Sequence, residues 1–306
     1  MKYLFLFIFL LNLSFYSFLL IKPLNNPIEF RIDKGEGLEK IFFNLEQKNV
    51  FFPKSLKLLF NIFGADKRIY PGKYRISHED SLYEVFNKIY NGKIILKKFI
   101  IPEGSIVKNL FSKNTLDKFC LERKVSEPCS LEGYLMPDVY FYNQENEKLK
   151  ILNVSYSKQI NNIDDAWNQR NELASNTTKF ELLIIASILE KESCANERKK
   201  ISGVIFNRLK KNMLLQMDST TIYSLEDFDG NLKKKDLKNS SLYNTYMHKG
   251  LPPGPISNPS RESLFSAGQP ESHEFLYFVA KDKCSHEFST NYKDHAKAVK
   301  KFQINK

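Results

Sequence analysis

A carboxylate, Glu190, closes the most apolar helix-like run outside the N-terminus: Phe180-Glu181-Leu182-Leu183-Ile184-Ile185-Ala186-Ser187-Ile188-Leu189-Glu190-Lys191-Glu192-Ser193. Thr178 followed three residues later by Glu181 fits a capping box, so the spacing predicts a helix beginning there. Apolar residues lie nearly all round it, which implies a largely buried element. Glu190 arrives as the hydrophobicity ends, where a helix could deliver one carboxyl group to the edge of a core. Desolvation there would raise its pKa and let it hold a proton near neutrality, as a general acid must. A solvated helix end beside Lys191 and Glu192 is the alternative, and this segment alone leaves both open. Glu192 is about 200° further round a helix, so the two carboxylates cannot face one site.

Three other segments carry polar groups suited to a sugar ligand. In Leu131-Glu132-Gly133-Tyr134-Leu135-Met136-Pro137-Asp138-Val139-Tyr140, Gly and Pro punctuate a turn, and the acidic and aromatic residues could line a site or lead into a strand. Ile201, Val204, Ile205 and Leu209 form a helical apolar stripe from which Asn207 and Arg208 fall away as polar surface. Gln216 and Asp218, two apart in an extended segment, would point to one side. Tyr243-Asn244-Thr245-Tyr246 precedes a Pro-rich loop over residues 250–259 that includes Asn258. Prolines stiffen such a loop, which suits a groove wall or a plain connection equally.

The elements that must position these groups follow from the rest of the chain. Its 306 residues allow roughly two domains, and 42% hydrophobic with 26% charged residues excludes wholesale disorder. The net charge of +11 comes from scattered lysines rather than from a nucleic-acid-binding stripe. An anionic envelope polymer or membrane surface would suit it. Cys120, Cys129, Cys194 and Cys284 make neither a zinc motif nor an evident disulfide framework. Cys120 and Cys129 could pair outside the cytoplasm, and Cys194 reads as a small packing residue. No metal or redox cofactor is indicated.

Residues 3–21 carry no charge between Lys2 and Lys22 and nearly match the ~30 Å hydrocarbon core as a helix. No small-residue cleavage site follows, so the reading is an uncleaved anchor over 1–22 with a short cytoplasmic N-terminus, and a tether over 23–27. From 28 to 98 the pattern gives a strand at Phe30-Arg31-Ile32 and a helix through Leu38, Ile41, Phe42 and Leu45. A second helix over 56–63, a strand at Gly72-Lys73-Tyr74-Arg75-Ile76 and a third helix through Leu82, Val85, Phe86 and Ile89 follow. This order resembles the LysM-like module that binds glycan chains, though a small α+β spacer would share it. Residues 99–306 read as one larger α+β domain.

Together these segments resemble the YceG/MltG family of membrane-anchored endolytic murein transglycosylases. The resemblance rests on Glu-Gly-Tyr-Leu-Met-Pro-Asp-Val-Tyr at 132–140, Ala-Ser-Ile-Leu-Glu-Lys-Glu at 186–192, Asn207-Arg208-Leu209 and Leu215-Gln216-Met217-Asp218. Tyr243-Asn244-Thr245-Tyr246, the loop at 250–259, Leu276-Tyr277-Phe278-Val279-Ala280, His286-Glu287-Phe288-Ser289 and His295 continue it. Ser219 stands where the family usually has Pro, and Met136-Pro137-Asp138-Val139-Tyr140 where it commonly has Phe-Pro-Asp-Thr-Tyr. The resemblance implies a single-pass inner-membrane protein with a periplasmic YceG-like catalytic domain over 99–306. It implies cleavage of MurNAc–GlcNAc β-1,4 bonds within glycan strands to 1,6-anhydro ends, terminating nascent strands, without a cofactor. It maps the catalytic residue to Glu190; beside it, Asn207, Gln216, Asp218, Tyr246 and Asn258 are the polar candidates for holding sugar or orienting the acid, and each could instead be structural. The partners implied are peptidoglycan strands, the membrane and peptidoglycan synthases, with no nucleic acid. If Asp218 reaches a water at the anomeric carbon, a hydrolytic muramidase is the near rival; a non-catalytic glycan-binding scaffold is the rival from another class.

Overall fold

A computed structural model of the chain describes residues 26–48, 69–124, 129–143 and 147–304, with positions 3, 6, 7, 9, 12, 13, 50, 60 and 64. The expected anchor and tether fall outside these residues apart from scattered positions, as does the helix expected over 56–63 apart from Phe60. Among the described residues no helix is long and apolar enough to cross a membrane. The chain divides into two compact units, residues 1–98 with 141–147, and residues 99–140 with 148–306. Both mix helices with two-stranded sheets, so the class is α+β.

In the first unit, β1 (Ile28–Ile32) precedes α1 (Leu38–Glu46), β2 (Gly72–Ile76) and α2 (Leu82–Tyr90). β1 and β2 pair antiparallel, Phe30 opposite Tyr74 and Ile32 opposite Gly72. Strand alternation sends Phe30, Ile32, Tyr74 and Ile76 inward, where they meet Ile41, Phe42 and Leu45 of α1 and Leu82, Val85 and Ile89 of α2. Ser81 and Glu84 form a capping box that starts α2.

The second unit begins within β3 (Lys97–Ile101) and continues through α3 (Lys113–Arg123) to β4 (Asp138–Tyr142), which pairs with β3. Then come α4 (Lys148–Asn168), α5 (Lys179–Glu192), α6 (Arg198–Lys210), α7 (Asp218–Tyr223) and α8 (Arg261–Gly268). A hairpin of β5 (Tyr277–Ala280) and β6 (His286–Ser289) follows, and α9 (Tyr292–Val299) lies against both strands. Helix α5 is the axis of this unit. It opens with the expected capping box, Glu181 N–H donating to Thr178 Oγ1 at 3.2 Å and Thr178 N–H to Glu181 Oε2 at 2.9 Å. Every residue from Leu182 to Leu189 is buried, with α4, α6, α7 and α8 packed round it. The Pro-rich loop resolves into a structural connection: Ile256 N–H donates to Ser187 Oγ at 3.0 Å, and Ser257 Oγ donates to the Ser187 carbonyl at 3.0 Å.

All four cysteines are paired, Cys120 with Cys129 and Cys194 with Cys284. Cys194 is therefore no packing residue. It joins the chain two residues beyond α5 to the turn between β5 and β6, 90 positions on. Sequence spacing cannot show such a pair.

Gly203, inside α6, has no room for a side chain, because a Cβ there would lie 2.3 Å from the Glu271 carbonyl oxygen and 2.6 Å from His273 Nε2. Gly203→Ala should therefore cost about 1–3 kcal/mol by forcing the 271–273 segment off the helix. A thermal or urea melt checks this, and an unchanged midpoint would show that the segment yields freely.

Candidate functional site

The last turn of α5 sends its two carboxylates to different places. Glu190 is enclosed, its side chain 4% exposed. Its Oε1 accepts from Arg198 Nη2 at 2.8 Å, and its Oε2 accepts from Ser260 N–H at 2.8 Å, Ser260 Oγ at 2.6 Å and Ser263 Oγ at 2.7 Å. These donors come from the starts of α6 and α8. Four charge-assisted bonds fit an ionised carboxylate that locks three helices together. The expectation that Glu190 stands at the wall of a groove is not met, because its oxygens are used within the protein.

Glu192 lies on the wall of a cavity of about 660 Å³, with Arg208, Gln216, Asp218, Tyr246, Tyr277, His286 and His295 also lining it. Its Oε1 accepts from Ser219 N–H at 3.3 Å and Ser219 Oγ at 2.6 Å. Its Oε2 accepts no hydrogen bond among the described residues. Burial pushes the Glu192 carboxyl above the ordinary carboxylate range; the Ser219 bonds oppose this, the Asp218 charge adds to it and His286 pulls slightly down. A carboxyl whose burial favours its protonated form, with one oxygen anchored and the residue on a cavity wall, has the properties of a general acid.

Of the other sequence candidates, the structure brings three to this cavity. Asp218 begins α7 and accepts from Tyr246 Oη at 2.5 Å. Burial, first, and the bond to Asp218 drive the Tyr246 phenol pKa up. Gln216 reaches the cavity from a left-handed backbone conformation, φ 51°, with its N–H on the Thr245 carbonyl at 3.1 Å. It shares the side with Asp218 as expected, but through a turn into a helix rather than an extended segment.

Asn207 and Asn258 do not line this cavity. Asn207 Nδ2 donates to the carbonyls of His273 at 2.7 Å and Phe275 at 3.0 Å, tying α6 to the approach to β5. Asn258 is fully buried, accepting from Leu135 N–H at 3.1 Å and donating to the Ser105 carbonyl at 3.1 Å. Arg208 is likewise no polar surface: 6% exposed, it donates from Nε and Nη1 to the carbonyls of Leu276, Leu214 and Leu215.

His286 escaped the sequence candidates although its segment was recognised. Its Nδ1 meets Glu197 Oε2 at 2.7 Å, which fixes the ring at the cavity wall. The Cys194–Cys284 bridge holds the same hairpin to the end of α5.

Glu132, from the turn before β4, is buried and separate from the cavity lining. It accepts from Val107 N–H at 3.3 Å and from Tyr223 Oη at 3.4 Å. Burial, only partly offset by these bonds, pushes its pKa up to about 7. That displacement corresponds to roughly 3 kcal/mol between its protonation states. The folded state holds the proton more tightly than the unfolded chain, so this contribution is full below about pH 4.5 and is lost as pH rises through about 7. Glu132→Gln should match wild type near pH 4 and exceed its unfolding free energy by a few kcal/mol at pH 8.5. Parallel pH dependences for the two in urea titrations would refute this.

The sequence model of the YceG-like family matches residues 30–301. An endolytic murein transglycosylase of Bacillus subtilis (strain 168) is 35% identical over 191 residues, 62% of this chain and 52% of that protein. A protein of the same name from Streptococcus pneumoniae serotype 2 (strain D39) is 31% identical over 176 residues, 55% of this chain and 32% of its own length. The chain thus spans about half or less of the length of these relatives. A crystal structure of a YceG-like protein from Listeria monocytogenes shares the fold, with TM-score 0.58 and 27% identity, over 90% of this chain and 99% of that one. With the family match running from β1 to the residues just beyond α9, this chain belongs to the YceG-like family.

Proposed function

We propose that this protein is an endolytic peptidoglycan lytic transglycosylase, a lyase whose acid is Glu192. The observation that carries the reading is a buried carboxyl on the wall of a large polar cavity, one oxygen fixed by Ser219 and the other without a hydrogen bond among the described residues. Protonated Glu192 donates to the glycosidic oxygen between MurNAc and GlcNAc as that bond breaks. The resulting carboxylate takes the proton of the MurNAc C6 hydroxyl, whose oxygen closes on C1 as the 1,6-anhydro ring. The proton count balances and no water is consumed. Glycosidases that add water commonly pair two carboxylates, whereas here the substrate supplies its own nucleophile. Gln216, Asp218 and Tyr246 are the groups to hold sugar hydroxyls, and His286 lies beside the acid.

A hydrolytic muramidase is the second reading, favoured by Asp218 sharing the cavity with Glu192. Mass spectrometry of peptidoglycan digested by the protein separates the two. Anhydro ends support the lyase, and reducing ends mean hydrolysis. No cleavage by the folded protein would leave a glycan-binding scaffold.

The same reading places a single-pass anchor over 1–22 in the inner membrane and the catalytic unit on the periplasmic side. The uncharged run at 3–21 and the two disulfides support it, since such bridges persist in oxidising compartments. The unit containing β1, α1, β2 and α2 is a LysM-like glycan-binding module in this reading. Strand termination beside peptidoglycan synthases is the proposed role.

A further inference from the structure

The cavity holds a cation that the proposed reaction does not use. Nε and Nη1 of Arg208 donate to three carbonyls, and its guanidinium lies 5.1 Å from the centre of the Tyr277 ring. None of these partners carries a full negative charge. Burial weighs against its charge, and among the described residues no carboxylate forms an ion pair with it. A buried, uncompensated charge is costly unless something pairs with it.

A second observation lies beside the first. His295 stacks on the other partner of this cluster, its ring 5.1 Å from that of Tyr277 and 23° from parallel. Its Nδ1 is buried without a hydrogen-bond partner among the described residues. Burial, then the Arg208 charge, hold the His295 pKa below its usual value, which favours the neutral ring, and in one tautomer its Nδ1 carries a donor proton. Arg208, His295 and Tyr277 line the same cavity as Glu192. A cation lacking an anion and a ring nitrogen lacking a partner, both packed against Tyr277 on one cavity, are each groups that a carboxylate satisfies.

We propose that Arg208 and His295 form an anion subsite that takes a carboxylate on the muramyl side arm of the glycan. This rests on the proposed substrate and adds which feature of it is read. The sugar backbone is neutral, so the carboxylate comes from the stem peptide or, where the stem is absent, from the free lactyl group. The subsite would thus tie cleavage to side-arm chemistry rather than to sugar alone.

The test is binding by the full chain carrying Glu192→Gln, which removes the proposed acid. Three strand preparations of equal length are compared: stem-bearing, stripped of stems to free lactyl carboxylates, and stem-bearing with every carboxylate amidated. Stem-bearing strands should bind roughly ten- to a hundredfold more tightly than amidated ones, the range of hydrogen bonds to charged groups. Stripped strands that bind like amidated ones show that only the stem carboxylate is read, and stripped strands that bind like intact ones show that the lactyl carboxylate, free only once the stem is gone, is accepted as well. His295→Phe keeps the ring stack and should reduce the preference severalfold; Arg208→Met should abolish it. If Arg208→Met fails to fold, His295→Phe decides. Equal binding of charged and amidated strands overturns the subsite and leaves the enzyme reading intact. So does a preference undiminished in the folded variants, which would belong to the basic surface as a whole. Binding to none of the three preparations sinks the subsite and the proposed substrate together.

Discussion

Glu192→Gln should fold like wild type and cleave peptidoglycan about 10²–10⁴-fold more slowly, the usual contribution of a positioned acid–base group. Gln matches Glu in shape, and its side-chain oxygen can still accept from Ser219, so the local structure is kept. What is lost is the transferable proton. Burial holds that proton on Glu192 above the ordinary carboxylate range, so wild-type activity should decline as pH rises through the raised pKa. Release of muropeptides with anhydro ends, followed by mass spectrometry, reads both effects. Full activity of Glu192→Gln would remove this carboxyl from the chemistry.

Glu190→Ala should lose about 3–5 kcal/mol of stability, the cost of breaking a buried ion pair from one side. Arg198 would keep its charge, 8% exposed, beside an Nε that already lacks a partner. The Ser260 and Ser263 hydroxyls would lose their acceptor, and the start of α8 would lose its tie to α5. Glu190→Gln should be milder but still destabilising, since a neutral amide meets a guanidinium where an anion stood. Urea unfolding with cleavage assays on the folded fraction distinguishes the two carboxylates. A Glu190→Gln protein of wild-type stability and no activity, beside an active Glu192→Gln, would return the acid to Glu190.

The structure thus shifts the weight between two residues that the sequence placed on one helix. Hydrophobic periodicity and the Thr178–Glu181 box define α5 from its own residues, because capping and burial act within a few positions. The same holds for β1, α1, β2 and α2, whose inward residues follow from periods of 2 and 3.6. The separation of about 200° between Glu190 and Glu192 is also local geometry, and it excluded a shared site. Local geometry is silent on which face meets which neighbour. The partners of Glu190 lie 8, 70 and 73 positions further on, and those of Glu192 lie 27 on.

The same distinction separates Asn207 and Asn258, both spent on remote carbonyls, from Gln216, Asp218 and Tyr246, which converge on the cavity. It explains Arg208 in part, polar by type yet buried, because the Leu276 carbonyl 68 positions on accepts its proton beside the nearby Leu214 and Leu215 carbonyls. It explains the Cys194–Cys284 bridge as well, formed across 90 positions. Periodicity, caps and motif order are short-range properties of the chain and stand in the amino-acid order. Whether a carboxyl is locked in an ion pair or left open to a cavity depends on long-range packing, and only the folded chain decides it.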